Sequence, residues 1–309
     1  MEEWRLKLPG APFRKDATLS NVLMTKPSSA HCVTIISVCY NSVHTLPIML
    51  SSCGKSPVIL VDNASSDVAA LEDIARQYSA KLILNPTNLG FGVACNQGAK
   101  KATTEFLLFL NPDASLAPNA INELVAAAER YPRASALNPR IAETDGTPSF
   151  KRRSHLMPRS EKMARGWPVE DCDVTVLSGA ALFVRRADFD AVGGFDPQIF
   201  LFHEDDDLSR RLRSERGPIM FIPSAFVTHQ GGSSSGRSPK IAALKAWHMS
   251  RSRVYATRKH GMPAPFFMAL LSSIRQLLSV QILLSPRKRA KQWAFFRGVL
   301  STWRDGGIS

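Results

Sequence analysis

The chain has 309 residues, a formal charge of +13 and 44% hydrophobic side chains, a content that excludes general disorder. Its length suits one large α/β domain with an appendage, or two small domains. The five cysteines (Cys32, Cys39, Cys53, Cys95, Cys172) lie scattered, without C-x-x-C or other metal-type spacing, so reduced thiols in a cytosolic compartment are expected.

Residues 1–31 read as a poorly specified arm, with Glu2, Glu3 and Asp16 among basic residues and no apolar segment of the signal-peptide kind. Val33–Cys39 is β-branched and apolar, a buried strand ending at Tyr40-Asn41-Ser42, and a helical pattern follows through Val43–Ser52. Pro57–Val61 is a second strand, ending in Asp62-Asn63-Ala64-Ser65-Ser66-Asp67, where Asp67 can cap a helix reaching Tyr78. Lys81–Leu84 is a short third strand, closed by the loop Asn85–Gly92. A helix through Asn96 to Ala102 leads into Phe106–Leu110, an unbroken apolar run that reads as a strand buried on both faces of a parallel sheet. Strands alternating with helices in this way imply βαβ units.

The run stops at Asn111-Pro112-Asp113. Pro112 removes a backbone donor, so Asp113 leaves the sheet at the carboxyl end of its strand, where open α/β sheets bind ligands. A hard oxygen there suits a divalent cation holding a diphosphate; it equally suits a turn whose Asp caps the next helix. Ala117–Tyr131 is an amphipathic helix and Ala134–Asn138 a strand. Glu143–Asp173 is polar, basic and interrupted by proline, a long connection of the kind that carries function. Regular structure returns at Val174–Arg185, and Gly193-Gly194-Phe195-Asp196 forms a turn.

Phe202-His203-Glu204-Asp205-Asp206-Asp207 sets four carboxylates at the start of a helix reaching Arg216. A helix dipole favours such anions, but four exceed what capping requires, and one within reach of a hydroxyl can act as general base. Ile219–Ile222 and Ala225–Thr228 are strand-like. His229 at the second strand's end is either a satisfied core histidine or, with Asp113, part of a metal site.

These segments, in this order, resemble the family 2 glycosyltransferases, and within them the bacterial rhamnosyltransferase group. The resemblance rests on V-T-I-I-S-V-C-Y-N, I-L-V-D-N-A-S-S-D, N-L-G-F-G-V-A-C-N-Q-G, F-L-L-F-L-N-P-D, L-S-G-A-A-L-F-V-R-R, G-G-F-D and F-H-E-D-D-D-L-S-R-R, and covers Val33 to Gly232. It implies a GT-A fold, a Rossmann-like mixed α/β sheet flanked by helices. In that fold residues 32–115 bind a nucleotide-sugar, 116–236 bind the acceptor, and 237–309 form a basic amphipathic helical extension. It implies an inverting, metal-dependent transfer from a dTDP- or UDP-linked sugar, with L-rhamnose first and UDP-galactofuranose or another UDP-hexose second, in cell-surface glycan synthesis.

By the same resemblance Tyr40, Asn41 and Asp62 line the nucleoside pocket, and Asn88, Gly90 and Asn96 form the loop beside the nucleotide. Asn111 and Asp113 occupy the metal motif, with Mg²⁺ or Mn²⁺ completed by His229. Asp205 is the general base, and Gly179 and Glu204 face the acceptor, a glycan or polyprenyl-diphosphate-linked sugar. Two positions depart from the pattern. Asn111 replaces an Asp, and Cys95 replaces an Arg that would touch a phosphate or ribose. A nucleotide-binding relative without catalysis is the competing reading.

From Arg237 to Arg304 there are 14 Lys/Arg and no Asp or Glu, so nearly all the excess charge lies in the last quarter. Pro265–Pro286 is long and apolar, but Ser272, Arg275, Gln276 and Ser279 make a polar stripe, and Arg275 at mid-span opposes insertion. A helix lying in the membrane interface is expected, with Arg287-Lys288-Arg289-Ala290-Lys291 and the face Trp293, Phe296, Leu300, Trp303 beside it. Residues 265–304 thus predict docking on an anionic membrane surface, peripheral on the inner face of the cytoplasmic membrane. The alternative is a helical pair packed on the catalytic domain or another subunit, which leaves a homodimer open. No recognised nucleic-acid module occurs in the tail, and no nucleic acid partner is expected.

Overall fold

A computed structural model describes residues 32–231, 238–279, 282 and 285–305. The arm expected at 1–31 lies outside them. Nine strands form one mixed sheet: β1 (Val33–Cys39), β2 (Val58–Asp62), β3 (Lys81–Leu84), β4 (Phe106–Leu110), β5 (Ala114–Leu116), β6 (Ala136–Glu143), β7 (Cys172–Val174), β8 (Ala181–Arg185) and β9 (Ile219–His229). Their order is β3-β2-β1-β4-β8-β6-β9-β5, with β7 also paired to β9. β3, β2, β1 and β4 are mutually parallel, whereas β8 runs antiparallel to β4, so the parallel half ends there.

The apolar run of β4 explains itself by alternation. Phe106, Leu108 and Leu110 enter the core under α1 (Leu46–Ser52), α2 (Val68–Gln77) and α4 (Ala120–Arg130). Leu107 and Phe109 enter the core on the other face, with α3 (Phe91–Ala99), α5 (Arg186–Ala191) and α6 (Glu204–Glu215). A strand covered on both faces has no polar position to spare. Phe109 packs edge-on to Phe195 at 5.1 Å, fixing α3 and the turn before α6 against the sheet.

Several boundaries differ from the sequence expectation. α3 begins at Phe91, five residues before Asn96, because Gly90 turns the chain at φ +88° and a Cβ there would meet the Phe200 carbonyl oxygen at 2.5 Å. Val174–Arg185 is not one strand: β7 ends at Val174 and β8 starts at Ala181, with a loop carrying Gly179 between. The two short strands after α6 are one, β9, with a register irregularity opposite Pro139/Arg140.

Three further helices, α7 (Pro239–Lys259), α8 (Pro265–Leu277) and α9 (Pro286–Asp305), pack against one another beside the α/β sheet layer. α7 presents Ala242, Ala246, Ser250 and Val254 along one row, and α9 answers with Phe295, Gly298, Val299 and Thr302. Small residues allow a close crossing: a Cβ at Gly298 would lie 2.8 Å from the Trp247 carbonyl oxygen. α7 is bound to the turn before α6 and to α6 itself by Tyr255 and Lys259 on Asp196 (3.0 and 2.6 Å) and by Lys259 and His260 on Asp207 (2.8 and 2.7 Å). α8 buries Ala269 and Ser273, and turns Phe267, Met268, Leu271 and Ile274 outward. No helix among the described residues is long and apolar enough to cross a membrane.

Candidate active site

The carboxyl ends of the parallel strands carry the nucleotide-side residues. Tyr40 and Asn41 follow β1, Asn41 in the left-handed region at φ +53°, where Asn is tolerated. The Asn41 side-chain oxygen accepts from Ser66 N at 2.8 Å, and its own N–H donates to Ser65 Oγ at 2.8 Å, so the loops after β1 and β2 are tied together. Asp62 is buried and accepts from the N–H (3.0 Å) and hydroxyl of Ser65. Next to it, buried Asn63 donates to the Gly90 carbonyl at 3.0 Å and accepts from Asn85 at 3.0 Å. Asn88 is exposed and accepts from Gly90 N at 3.0 Å.

Asn96, which the resemblance places in the loop beside the nucleotide, has a structural task in α3. Both ends of its amide bond the backbone of Phe195, at 2.9 and 2.8 Å, and hold the Gly-Gly-Phe-Asp turn against α3. Cys95 points into the core, where burial raises its thiol pKa well above the ordinary value and the Glu204 charge adds to the effect. The resemblance puts position 95 beside a phosphate or ribose; its thiol is interior.

Asp113 is nearly buried at the β4–β5 turn. β9 runs between β6 and β5, so His229 stands opposite Glu143 across one ladder and opposite Ala114 across the other. That register brings His229 Nε2 to 3.3 Å from Asp113 Oδ1 and 3.4 Å from the Asn111 amide, with Glu143 3.8 Å from Nδ1. Burial pulls the imidazolium pKa down, but Asp113 and Glu143 outweigh it, so His229 titrates above its ordinary value. Lys245 of α7 lies within electrostatic reach of Asp113. Neither Lys245 nor Glu143 stands out in the sequence, because each reaches this corner only through tertiary packing.

These residues fit a hard divalent cation. Asp113 and His229 offer an oxygen and a nitrogen side by side, and among the described residues no set of three His, Cys, Asp or Glu side chains closes a site. The remaining positions would fall to substrate diphosphate and water, as is usual for Mg²⁺.

At the other side of the crevice, α6 starts after Phe202 and His203, both in the left-handed region at φ +66° and +69°. Two such non-glycine residues in succession store strain, which concentrates at functional sites. The four acids that follow go separate ways. Asp205 Oδ2 accepts from Gly179 N at 3.0 Å and from Lys151 Nζ at 2.7 Å. A Cβ at position 179 would stand 3.3 Å from that oxygen, so the loop can approach because residue 179 is glycine. Asp206 takes Lys151 at 2.9 Å and His203 at 2.8 Å; burial raises its pKa, and these two partners reverse the shift to well below the ordinary value. Asp207 is fully buried with Arg211, Lys259 and His260, which hold it at about 2 against the effect of burial.

Glu204 is buried without a cation of its own. Burial, and then Asp205, raise its pKa to about 8, and among the described residues its Oε2 has no hydrogen-bond partner. Lys151, noted in the sequence only as part of a basic stretch, is the cation of this corner. Burial works against its charge, and the Asp205 and Asp206 carboxylates more than restore it.

One short segment joins the two corners. Asn111 N donates to the Ala180 carbonyl at 3.0 Å, Gly179 N donates to Asp205, and Ser178 N donates to buried Asn138 Oδ1 at 3.1 Å. The corner of Asp113 and His229 and the corner of Asp205 and Glu204 are therefore linked through the backbone of residues 178–180.

This sheet order and site place the chain among GT-A glycosyltransferases in fold. Solved structures agree: the mannosyltransferase PcManGT from Pyrobaculum calidifontis, in complex with GDP-Man and Mn²⁺, superimposes with a TM-score of 0.55 at 16% identity, over 90% of this chain and 76% of that one. S. aureus TarS 1–349 superimposes with a TM-score of 0.52 at 17% identity, over 89% and 92%. Residues 34–193 match the profile of glycosyl transferase family 2, and the chain belongs to that family. It is 32% identical over 266 positions to the N-acetylglucosaminyl-diphospho-decaprenol L-rhamnosyltransferase of Mycobacterium tuberculosis, covering 76% of this chain and 86% of that one. A pre-mycofactocin glycosyltransferase of the same species is 26% identical, over 69% of this chain and 46% of its own. The protein is thus a glycosyltransferase.

Proposed function

We propose that this glycosyltransferase moves L-rhamnose from dTDP-rhamnose onto a polyprenyl-diphosphate-linked sugar, with inversion and with a divalent cation at Asp113 and His229. The observation that carries the reading is the 178–180 segment, whose backbone bonds both Asp205 and Asn111, beside the Asp113–His229 pair. The mycobacterial rhamnosyltransferase named above supports the choice of sugar and acceptor class.

Tyr40, Asn41 and Asp62 hold the nucleoside at the strand ends, and the loop with Asn88 and Gly90 closes beside it. Asn111, Asp113 and His229 hold the cation, which when bound neutralises charge developing on the diphosphate leaving group. Lys245 adds a positive charge at that end. Asp205 takes the proton of the acceptor hydroxyl as its oxygen attacks the anomeric carbon. The new C–O bond forms as the bond to phosphate breaks on the opposite face, and the nucleoside diphosphate departs. Gly179 and Glu204 shape the acceptor side. The proton reaches Asp205 only if Lys151 yields one lobe of the carboxylate, so the Lys151–Asp205 pair belongs to the resting enzyme.

Docking is proposed on an anionic bilayer, peripheral on the inner face of the cytoplasmic membrane. Phe267, Met268, Leu271 and Ile274 of α8 face outward, beside exposed Trp293 and Trp303 of α9, in a region whose charge is wholly basic. Co-sedimentation with phosphatidylglycerol vesicles, but not phosphatidylcholine vesicles, is expected, and equal binding to both would remove the electrostatic part.

The direct test is thermal stabilisation by dTDP, UDP and their sugars with and without Mn²⁺ or Mg²⁺, followed by transfer to a GlcNAc-diphospho-lipid. A metal-dependent shift with dTDP, lost in Asp113→Ala, is expected. A shift with UDP alone moves the donor to UDP-galactofuranose or a UDP-hexose. Nucleotide binding without transfer to any acceptor makes the chain a non-catalytic relative.

A further inference from the structure

Asp205 also lines a cavity of about 490 Å³ that the sheet does not build. Its far wall is the helical layer: Met249 and Arg253 of α7, Gln276 of α8, and Lys291 and Phe295 of α9. A second cavity of about 740 Å³ adjoins it, sharing Arg153, Ser154, His155 and Arg253. Both fall within the usual size range of ligand pockets, roughly 300–1,000 Å³.

The two chambers differ in chemistry. In the first, Lys151, Arg153, Arg253 and Lys291 face Glu204, Asp205 and Asp206. Lys151 is taken by Asp205 and Asp206, and Glu204 keeps its proton to about 8. Arg153, Arg253 and Lys291 are then surplus: among the described residues none of the three has a carboxylate partner. His155 stays neutral, its pKa lowered to about 4 by burial and then by Arg253. Four cations against two ionised acids leave a charge near +2, the complement of a diphosphate diester. The second chamber adds Met157, Met262 and Met268, flexible apolar side chains that adapt to an irregular chain, with Pro158, Pro263 and Pro265, while Glu161, Lys162 and Thr257 give its wall a polar part. Met268 also belongs to the outward apolar face of α8, so this chamber opens where the bilayer is proposed to lie.

We infer that the two chambers are the acceptor-lipid site: Arg153, Arg253 and Lys291 hold the diphosphate of a polyprenyl-diphosphate sugar, and the methionine-lined chamber receives the first isoprene units. The sugar hydroxyl then lies at Asp205. This rests on the transferase reading above, which it deepens by naming residues that read the linkage between sugar and lipid. It also gives α7, α8 and α9 a part in the reaction, since no cation from the sheet domain other than Lys151 and Arg153 reaches the chamber.

The test uses the full chain and farnesyl diphosphate as probe, with saturating dTDP present. Wild type should bind it at least tenfold more tightly than farnesol or inorganic pyrophosphate. Arg253→Ala and Lys291→Ala should each weaken it roughly tenfold or more, the loss expected for a charge-assisted contact, with the dTDP thermal shift unchanged. Lys291 is exposed, so its variant keeps the test alive should Arg253→Ala fail to fold. Unchanged affinity in folded variants, displacement by dTDP, or pyrophosphate binding as tightly as farnesyl diphosphate overturns the assignment. The two readings fail separately. Arginine-dependent farnesyl diphosphate binding without any nucleotide response would end the donor reading and keep this one.

Discussion

At the end of β4 Asp113 stands beside His229, with Glu143 3.8 Å from the far side of the imidazole, whereas at the start of α6 four successive acids meet Lys151, His203, Arg211, Lys259 and His260. The first corner is sparse and offers atoms to a ligand. The second is dense, and much of its density serves the fold: Asp207 belongs to the attachment of α7, as Asp196 does. Acid count is therefore a poor guide to chemistry. Of the four acids, Asp205 is left partly open because Gly179 shares it with Lys151, and Glu204 forms no ion pair, burial and Asp205 outweighing the pull of Lys151.

Asp113→Ala sharpens the contrast most. Transfer should fall about 10³-fold, the scale on which loss of one electrostatic contact to a developing charge is felt, while the melting temperature stays near wild type. Asp205→Asn should lower kcat by roughly 10²–10⁴ with nucleotide affinity kept, as loss of a general base does. Steady-state kinetics with saturating donor reads both. If Asp205→Asn transfers at the wild-type rate, Glu204 becomes the base to test.

Asp207→Ala tests the other half. A fully buried carboxylate bonded to Arg211, Lys259 and His260 leaves those partners unpaired when removed, at a cost on the order of 3 kcal/mol. Chemical denaturation should report that loss, and limited proteolysis should cut first between the catalytic domain and α7. A variant as stable as wild type would show the dense corner to be functional throughout, and the comparison would break.

How much of this is legible in the sequence depends on what sets each feature. β1, β2 and β4 are legible because burial on both faces forces an apolar run, β3 at the sheet edge because it follows in the βαβ alternation, and strand ends place Asp62 and Asp113 by topology alone. Glu204–Glu215 is legible as a helix and Asp205 as a member of it. α7 is not: it is covered by α9 on one side and the catalytic domain on another, so small and basic residues alternate without one apolar stripe. The polar stripe of α8 has the spacing that the sequence implies, but part of it turns inward: Ser272 lies 3.4 Å from Arg253, while the apolar face is outside. Lys151, Lys245 and Asn138 come to the crevice from segments distant in sequence, and no local pattern marks them.

The smallest effect is the one that isolates Glu204. Its native carboxyl holds a proton up to about 8, because burial and then Asp205 disfavour the anion, whereas an unfolded chain releases it near 4.3. Between those values the native state binds more protons than the unfolded state, so stability falls as pH rises. The whole contribution is present below the unfolded value and is lost once pH passes the native one. Glu204→Gln cannot ionise and should flatten this fall, so that its stability relative to wild type rises steadily from pH 5 to pH 8. Urea unfolding at both pH values measures it. The same variant should remove any decline in acceptor affinity between pH 7 and 9, since a further ionised acid in the first chamber opposes a diphosphate. A variant whose stability parallels wild type across that range would mean that Glu204 is already ionised at neutral pH, and Lys151, Arg153, Arg253 and Lys291 would then stand against three anions, leaving the acceptor chamber near +1 rather than +2.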